Sequence, residues 1–194
     1  MYTINQADDS IRVTDTDSRA GSVTQPASGS IRIKREQFGP VFQVTLTLNE
    51  VGQTVVNGTE YQGTKLFTFP EGRIFVLGST ATLRQKTTST LASTLNASST
   101  GAIALGTVTA SSTTLSTTMA DLLPSTAFTS SATINVAGTA VSAALAAAAQ
   151  FDGTSTAKSM FLNTAYATTT DVDADATQTI SGTIVCTFVW LGDY

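Results

Sequence analysis

The chain has 194 residues, a net charge of −4, no histidine and a single cysteine, Cys186. This balance argues against a sequence-independent nucleic-acid binder, which needs clustered Lys and Arg. One cysteine excludes an internal disulfide framework, and the missing histidines remove the side chain that most proton transfers near neutrality rely on.

The length suits one domain, or one domain with an arm, and a chain of this size buries roughly 70% of its unfolded surface. Leu, Ile, Val and Phe supply about a quarter of the residues, above the roughly 20% below which disorder is expected. Many other apolar positions are Ala, which buries little area, so a thin core finished by contacts between subunits is expected. The opening residues, Met1 to Asp9, carry neither the basic nor the apolar region of a secretory signal. The longest apolar run, Ala143 to Ala149, falls far short of the ~20 residues of a membrane helix. A soluble protein made in a cytoplasm is expected, with no membrane partner.

Residues 1–37 differ from the rest. They hold Arg12, Arg19, Arg32, Lys34 and Arg35, half of the ten basic residues. Two similar tetrads, Ser10-Ile11-Arg12-Val13 and Ser30-Ile31-Arg32-Ile33, alternate apolar and polar as half-buried strands do. The polar stretch between them, Thr14 to Gly29, reads as a long loop. Residues 1–37 are therefore expected to form an N-terminal arm or outlying hairpin, and residues 38–194 the body. The two tetrads pair either with each other or with a neighbouring chain.

From Phe38 the pattern tightens. Phe42, Val44, Leu46 and Leu48 alternate with Gln43, Thr45 and Thr47, which predicts a strand with one wet face. Asn57-Gly58 predicts a hairpin turn, and Pro70-Glu71-Gly72 a second turn. Further strands are expected at 65–69, 73–77, 80–85, 102–110, 132–136, 159–167 and 177–191. Such spacing predicts an all-β body, a jelly roll or β-sandwich. Two short helices are expected as well. Thr118 to Leu123 has a capping threonine and is stopped by Pro124, and Val141 to Gln150 is rich in Ala. For the second, a strand of small residues is the alternative.

No catalytic, cofactor-binding or metal-binding set emerges. The many Ser and Thr hydroxyls have no histidine to activate them, and no Lys stands in an SxxK-like setting. Asp171-Val172-Asp173-Ala174-Asp175 opens like a calcium loop, but Ala176 and Gly182 occupy the positions that need Gly and a bidentate Glu. It reads as a solvated acidic loop. Cys186, within Ile184-Val185-Cys186-Thr187-Phe188, reads as a buried thiol. No enzymatic activity and no cofactor are expected.

The remaining candidates are contact residues. Alternation sets Arg32 and Lys34 on one strand face, opposite Ile31 and Ile33. With Arg35 they make either a solvated edge that discourages unwanted pairing or an electrostatic contact to an acidic protein surface. Trp190 and Tyr194 close the last strand as interface anchors or, for Trp190, as core.

Phe69-Pro70-Glu71-Gly72-Arg73-Ile74, Phe151-Asp152-Gly153-Thr154, Phe161-Leu162-Asn163, Ile180-Ser181-Gly182-Thr183-Ile184 and the ending Trp190-Leu191-Gly192-Asp193-Tyr194 together resemble small structural proteins of tailed bacteriophages, in particular head decoration, or cement, proteins. The similarity spans roughly Gln62 to Tyr194. It implies a β-rich, jelly-roll virion protein that forms homotrimers on the outer surface of the head and clamps subunits of the major capsid protein. On that reading the candidate capsid or subunit contacts are Ile11, Arg12, Val13, Ile31, Arg32, Ile33, Lys34, Arg35, Trp190 and Tyr194. The alternative is a tail-fibre or receptor-binding domain of adhesin type.

Overall fold

The alternation after Phe38 is reproduced as burial. Phe42, Val44, Leu46 and Leu48 are at most 4% exposed, while Gln43, Thr45 and Thr47 lie on the opposite face. The computed structural model describes residues 21–89, 95, 99–131, 133–138, 141–144, 149–167 and 171–192. Eleven strands are formed: β1 (Ser22–Val23), β2 (Ser30–Phe38), β3 (Val41–Val55), β4 (Tyr61–Thr68), β5 (Gly72–Thr87), β6 (Thr100–Gly106), β7 (Leu123–Thr129), β8 (Val141–Ala144), β9 (Ala149–Gly153), β10 (Ser159–Tyr166) and β11 (Ala176–Gly192). Two antiparallel sheets pack as a β-sandwich. The smaller has the order β1-β4-β10-β6-β7, and the larger β2-β3-β11-β5-β8, with β9 also on β5.

The connectivity follows from nested pairs. β6 and β7 form the innermost hairpin, β5 pairs with β8 and β9, β4 with β10, and β3 with β11. Successive pairs fall alternately in the two sheets, with β3-β11-β5-β8 facing β4-β10-β6-β7. A long hairpin rolled up in this way has the strand order of a jelly roll. Three long strands carry it, since β11 is hydrogen-bonded to β3 on one side and β5 on the other almost from end to end.

The interior has two ends of different chemistry. At one, Phe42 stacks on Phe188 with centroids 5.6 Å apart, and Phe69 meets Phe67, Phe151 and Phe188 edge-on at 5.0–5.3 Å. At the other, Gln53, Gln85, Thr164, Tyr166 and Gln178 are all buried. The main cluster is built largely from Leu, Ile, Val and Phe. A second cluster lies on the outer side of the smaller sheet, where Ala110 and Leu115 of residues 107–121 gather with Ala104 of β6 and Ala165 of β10. The core between the sheets is thus fuller than the Ala content suggests.

Several local expectations change. Thr118 to Leu123 is not a helix: one 3-10 turn covers Thr117–Met119, and Leu123 and Pro124 already belong to β7. A six-residue helix gains little from propensity, whereas Leu122 and Leu123 become fully buried here. β7 is an edge strand, where Pro is tolerated. Val141 to Gln150 takes its strand alternative at both ends, as β8 and β9, because lateral pairing with β5 outweighs the small propensity difference. Asn57-Gly58 makes a tight turn, with Gly58 at φ +80°, but it joins strands that part into different sheets. Only Val56 and Thr59 bridge across it. The strand expected at 132–136 is a turn over its described residues, with Val136 N–H donating to Thr133 O at 3.1 Å, and β7 was not anticipated.

Residues 30–37, grouped with the arm on sequence, form together with Phe38 an edge strand of the larger sheet, registered with β3 from Ser30 opposite Asn49 to Phe38 opposite Val41. The first tetrad lies outside the described residues.

Candidate interaction face

A β-sandwich has two outer faces, and the chain treats them differently. Over the smaller sheet, residues 107–121 fold back and are pinned by Asn163 of β10, which is fully buried. Its Oδ1 accepts from Ala110 N–H at 2.9 Å, and its Nδ2 donates to Val108 O at 2.9 Å and Met119 O at 2.8 Å. Asp121 closes the excursion by accepting from the amide and hydroxyl of Thr107 at 2.8 and 2.7 Å. Glycine at position 63 makes this approach possible, since a Cβ there would stand 2.4 Å from both Asn163 Oδ1 and Thr109 Oγ1. No described segment folds back in this way over the outer face of the larger sheet.

That bare face is set out by register. One row runs Arg32–Thr47–Thr183–Thr82–Ser142 across β2, β3, β11, β5 and β8. Arg84 lies one row further along, opposite Ser181. Towards the other end of the strands a second row runs Phe38–Val41–Val189–Phe75. Leu77 and Leu191 stand beside it at β-bulges, 48% and 53% exposed, and Phe38 is 66% exposed. Gln43 Nε2 donates to Thr187 Oγ1 at 3.2 Å between the two regions.

Among the described residues three ion pairs fringe the face. Lys34 meets Glu36 at 2.9 Å, Arg73 meets Asp152 at 3.8 Å, and Lys86 bonds Glu50. Asp152 is held below the usual carboxylate range, first by the hydroxyl and amide of Thr154 and then by Arg73. Arg32 and Arg84 have no acidic partner within 4 Å among the described residues.

The sequence-derived contact residues divide accordingly. Arg32 and Lys34 do share the outer face, with Ile31 and Ile33 turned inward; Ile31 is 4% exposed and belongs to the main core. Arg35 also turns inward, and its Nη2 donates to Gly21 O at 2.9 Å. Trp190 packs against the core, donates Nε1–H to Glu71 O at 2.6 Å, and lines a 220 Å³ cavity with Pro40, Phe42 and Leu191. Ile11, Arg12, Val13 and Tyr194 lie outside the described residues. Arg73, Arg84, Lys86 and the apolar row were missed. Parity within 73–86 gives the sidedness of these residues, but no local signal says which face stays bare.

The acidic loop has a structural task. Asp175 Oδ1 accepts from Asn57 N–H at 2.8 Å, tying the β3–β4 turn to the start of β11. Among the described residues no group of three or more His, Cys, Asp or Glu is placed to hold a metal ion. Cys186 is 1% exposed, and burial pushes its thiol up to about 11, with the Ser79 hydroxyl opposing the shift. No protein-family model, curated protein or solved structure matches the chain.

Proposed function

We propose that this chain is a non-enzymatic structural protein of a virus particle, a decoration or cement protein that binds the outer surface of a phage head and reinforces contacts between coat subunits. The observation that carries the reading is the asymmetry of the sandwich among the described residues: one outer face is covered by residues 107–121, while the other presents an array of cations, hydroxyls and apolar side chains. A module with one finished face and one open face suits one-sided docking on a larger surface. The likeness of residues 62–194 to phage head proteins points the same way, and so does a composition poor in the residues of catalysis.

In this reading the partners are the major capsid protein and further copies of the chain, arranged as homotrimers. Reinforcement then comes from contact area repeated over many copies, so a modest energy per site is enough. The deciding measurement is copy number and position in the assembled particle. Hundreds of copies spread over the head are expected; copies confined to the tail or a single vertex would move the protein to the receptor-binding class and overturn the proposal.

A further inference from the structure

The bare face has two halves with different chemistry, and together they describe what covers it. Five of the chain's ten basic residues, Arg32, Lys34, Arg73, Arg84 and Lys86, stand on it, and among the described residues only three acids, Glu36, Glu50 and Asp152, stand with them, in a chain whose net charge is −4. Elsewhere among the described residues acids outnumber cations, with Glu71, Asp121, Asp171, Asp173 and Asp175 against Lys65 and Lys158 outside the interior. Arg32 and Arg84, which have no acidic partner within 4 Å among the described residues, stand at the end of and beside the single hydroxyl row of Thr47, Thr183 and Thr82. Beyond them the same face turns apolar at Phe38, Val41, Phe75 and Val189, with Leu77 and Leu191 exposed at the bulges.

A second copy does not complement this face. Stacked about a two-fold axis along the strands, two copies bring cation against cation; stacked about an axis across them, they lay the cations on the partner copy's apolar row or overlap only one half. A partner that covers both halves carries negative charge beside an apolar ridge. We infer that the outer face of the larger sheet docks onto an acidic protein surface, Arg32 and Arg84 meeting its carboxylates while Phe38, Leu77 and Leu191 seat an adjoining apolar ridge. The inference rests on the decoration reading and names the surface of the coat that this reading requires. Its two halves act differently: the cations speed and steer encounter in a salt-dependent way, and the apolar end sets how long the complex lasts.

The test titrates the full chain onto purified heads that lack it, at about 50 and about 300 mM salt. Arg32→Glu/Arg84→Glu is expected to weaken binding about tenfold or more at low salt and much less at high salt. Phe38→Ser/Leu191→Ser is expected to weaken it about tenfold at both. Lys65→Glu/Lys158→Glu makes the same change in charge off this face and is expected to bind as the parent does. Unchanged thermal melts establish that each variant folds. Parent-like binding by the Arg32/Arg84 variant, or an equal loss in the Lys65/Lys158 variant, overturns the inference and leaves the decoration reading standing. Failure of the parent chain to bind heads overturns both. Co-sedimentation with phosphatidylcholine–phosphatidylserine vesicles that is abolished in the Arg32/Arg84 variant overturns the inference in favour of a lipid surface. Loss of self-association in Phe38→Ser/Leu191→Ser, with head binding intact, overturns it in favour of a second copy.

Discussion

Gln178 joins four side chains at the polar end of the interior. Its Oε1 accepts from Tyr166 OH at 2.6 Å and Gln85 Nε2 at 3.3 Å, and its Nε2 donates to Gln53 Oε1 at 3.1 Å and Thr164 Oγ1 at 2.9 Å. Each partner is buried, so Gln178→Ala strands several polar groups at once, at a cost of about 1–3 kcal/mol for each one left unsatisfied. The variant is expected to lose about 3 kcal/mol or more, read from the urea midpoint at constant m-value. Burial also pushes the Tyr166 hydroxyl well above its ordinary range. Cys186 makes a second prediction at this scale. Its folded pKa, about 11, lies above the unfolded 9.0, so the folded state holds the proton more tightly. That contribution is fully present below pH 9 and is lost as pH rises towards 11, about 2–3 kcal/mol in all. Stability measured across this window is expected to fall, and Cys186→Val should flatten part of the fall, leaving the Tyr166 contribution above pH 10.

At the scale of elements, the long strands keep their pairing only because glycine permits an irregular step. Gly182 has φ +142° at the point where β11 shifts register against β3, and a Cβ there would stand 2.1 Å from Thr82 O. This backbone region is almost closed to other residues. Gly182→Ala is expected to lower the melting temperature by several degrees, and by more than Gly58→Ala, since a Cβ at Gly58 meets nothing within 4 Å. The excursion over the smaller sheet has its own lock. Asn163→Ala removes three hydrogen bonds to residues 108–119 and should raise amide exchange across that stretch while β3, β5 and β11 keep their protection. Uniform loosening of all strands would show that the excursion and the sandwich unfold as one unit. At this scale helix propensity was a poor guide: Ala-rich 141–150 contributes strand at each end, because pairing with β5 anchors both ends in the larger sheet and that tertiary gain outweighs the small propensity difference.

For the whole molecule, the proposed function predicts a mechanical effect. Particles lacking the protein are expected to burst at lower temperature, or at lower ionic strength, than complete ones, and adding the purified chain back should restore the difference. Identical bursting thresholds with and without the chain would remove the reinforcing role. The jelly-roll order also explains how a chain light in charge holds together. Nested pairing puts the beginning and end of the body side by side, β3 against β11, so the last strand joins β3 to β5 in the middle of the larger sheet. Large apolar side chains then meet between the layers, with the stacked and edge-on Phe residues at one end and the glutamine network at the other.

Much of this was legible in the residues themselves. Period-two alternation at 42–48 and 177–191 follows from side chains that point to opposite faces of a strand, so it gave the all-β class, the buried and exposed sets of β3 and the inward setting of Ile31 and Ile33. The buried character of Cys186 was equally local. What the residues could not carry was anything fixed by which strand meets which. Asn57-Gly58 specifies a turn but not that its strands diverge, and Gln53, Gln85 and Gln178 look like surface residues until register and packing bring them together inside. The candidate face is of the same kind. Alternation assigns Arg32, Arg84 and Val189 to sides of their own strands, but only the tertiary structure places them on one sheet face and lays residues 107–121 over the other. Sidedness is a property of each backbone step, whereas a shared and uncovered surface depends on pairings between residues as far apart in the chain as Arg32 and Thr183.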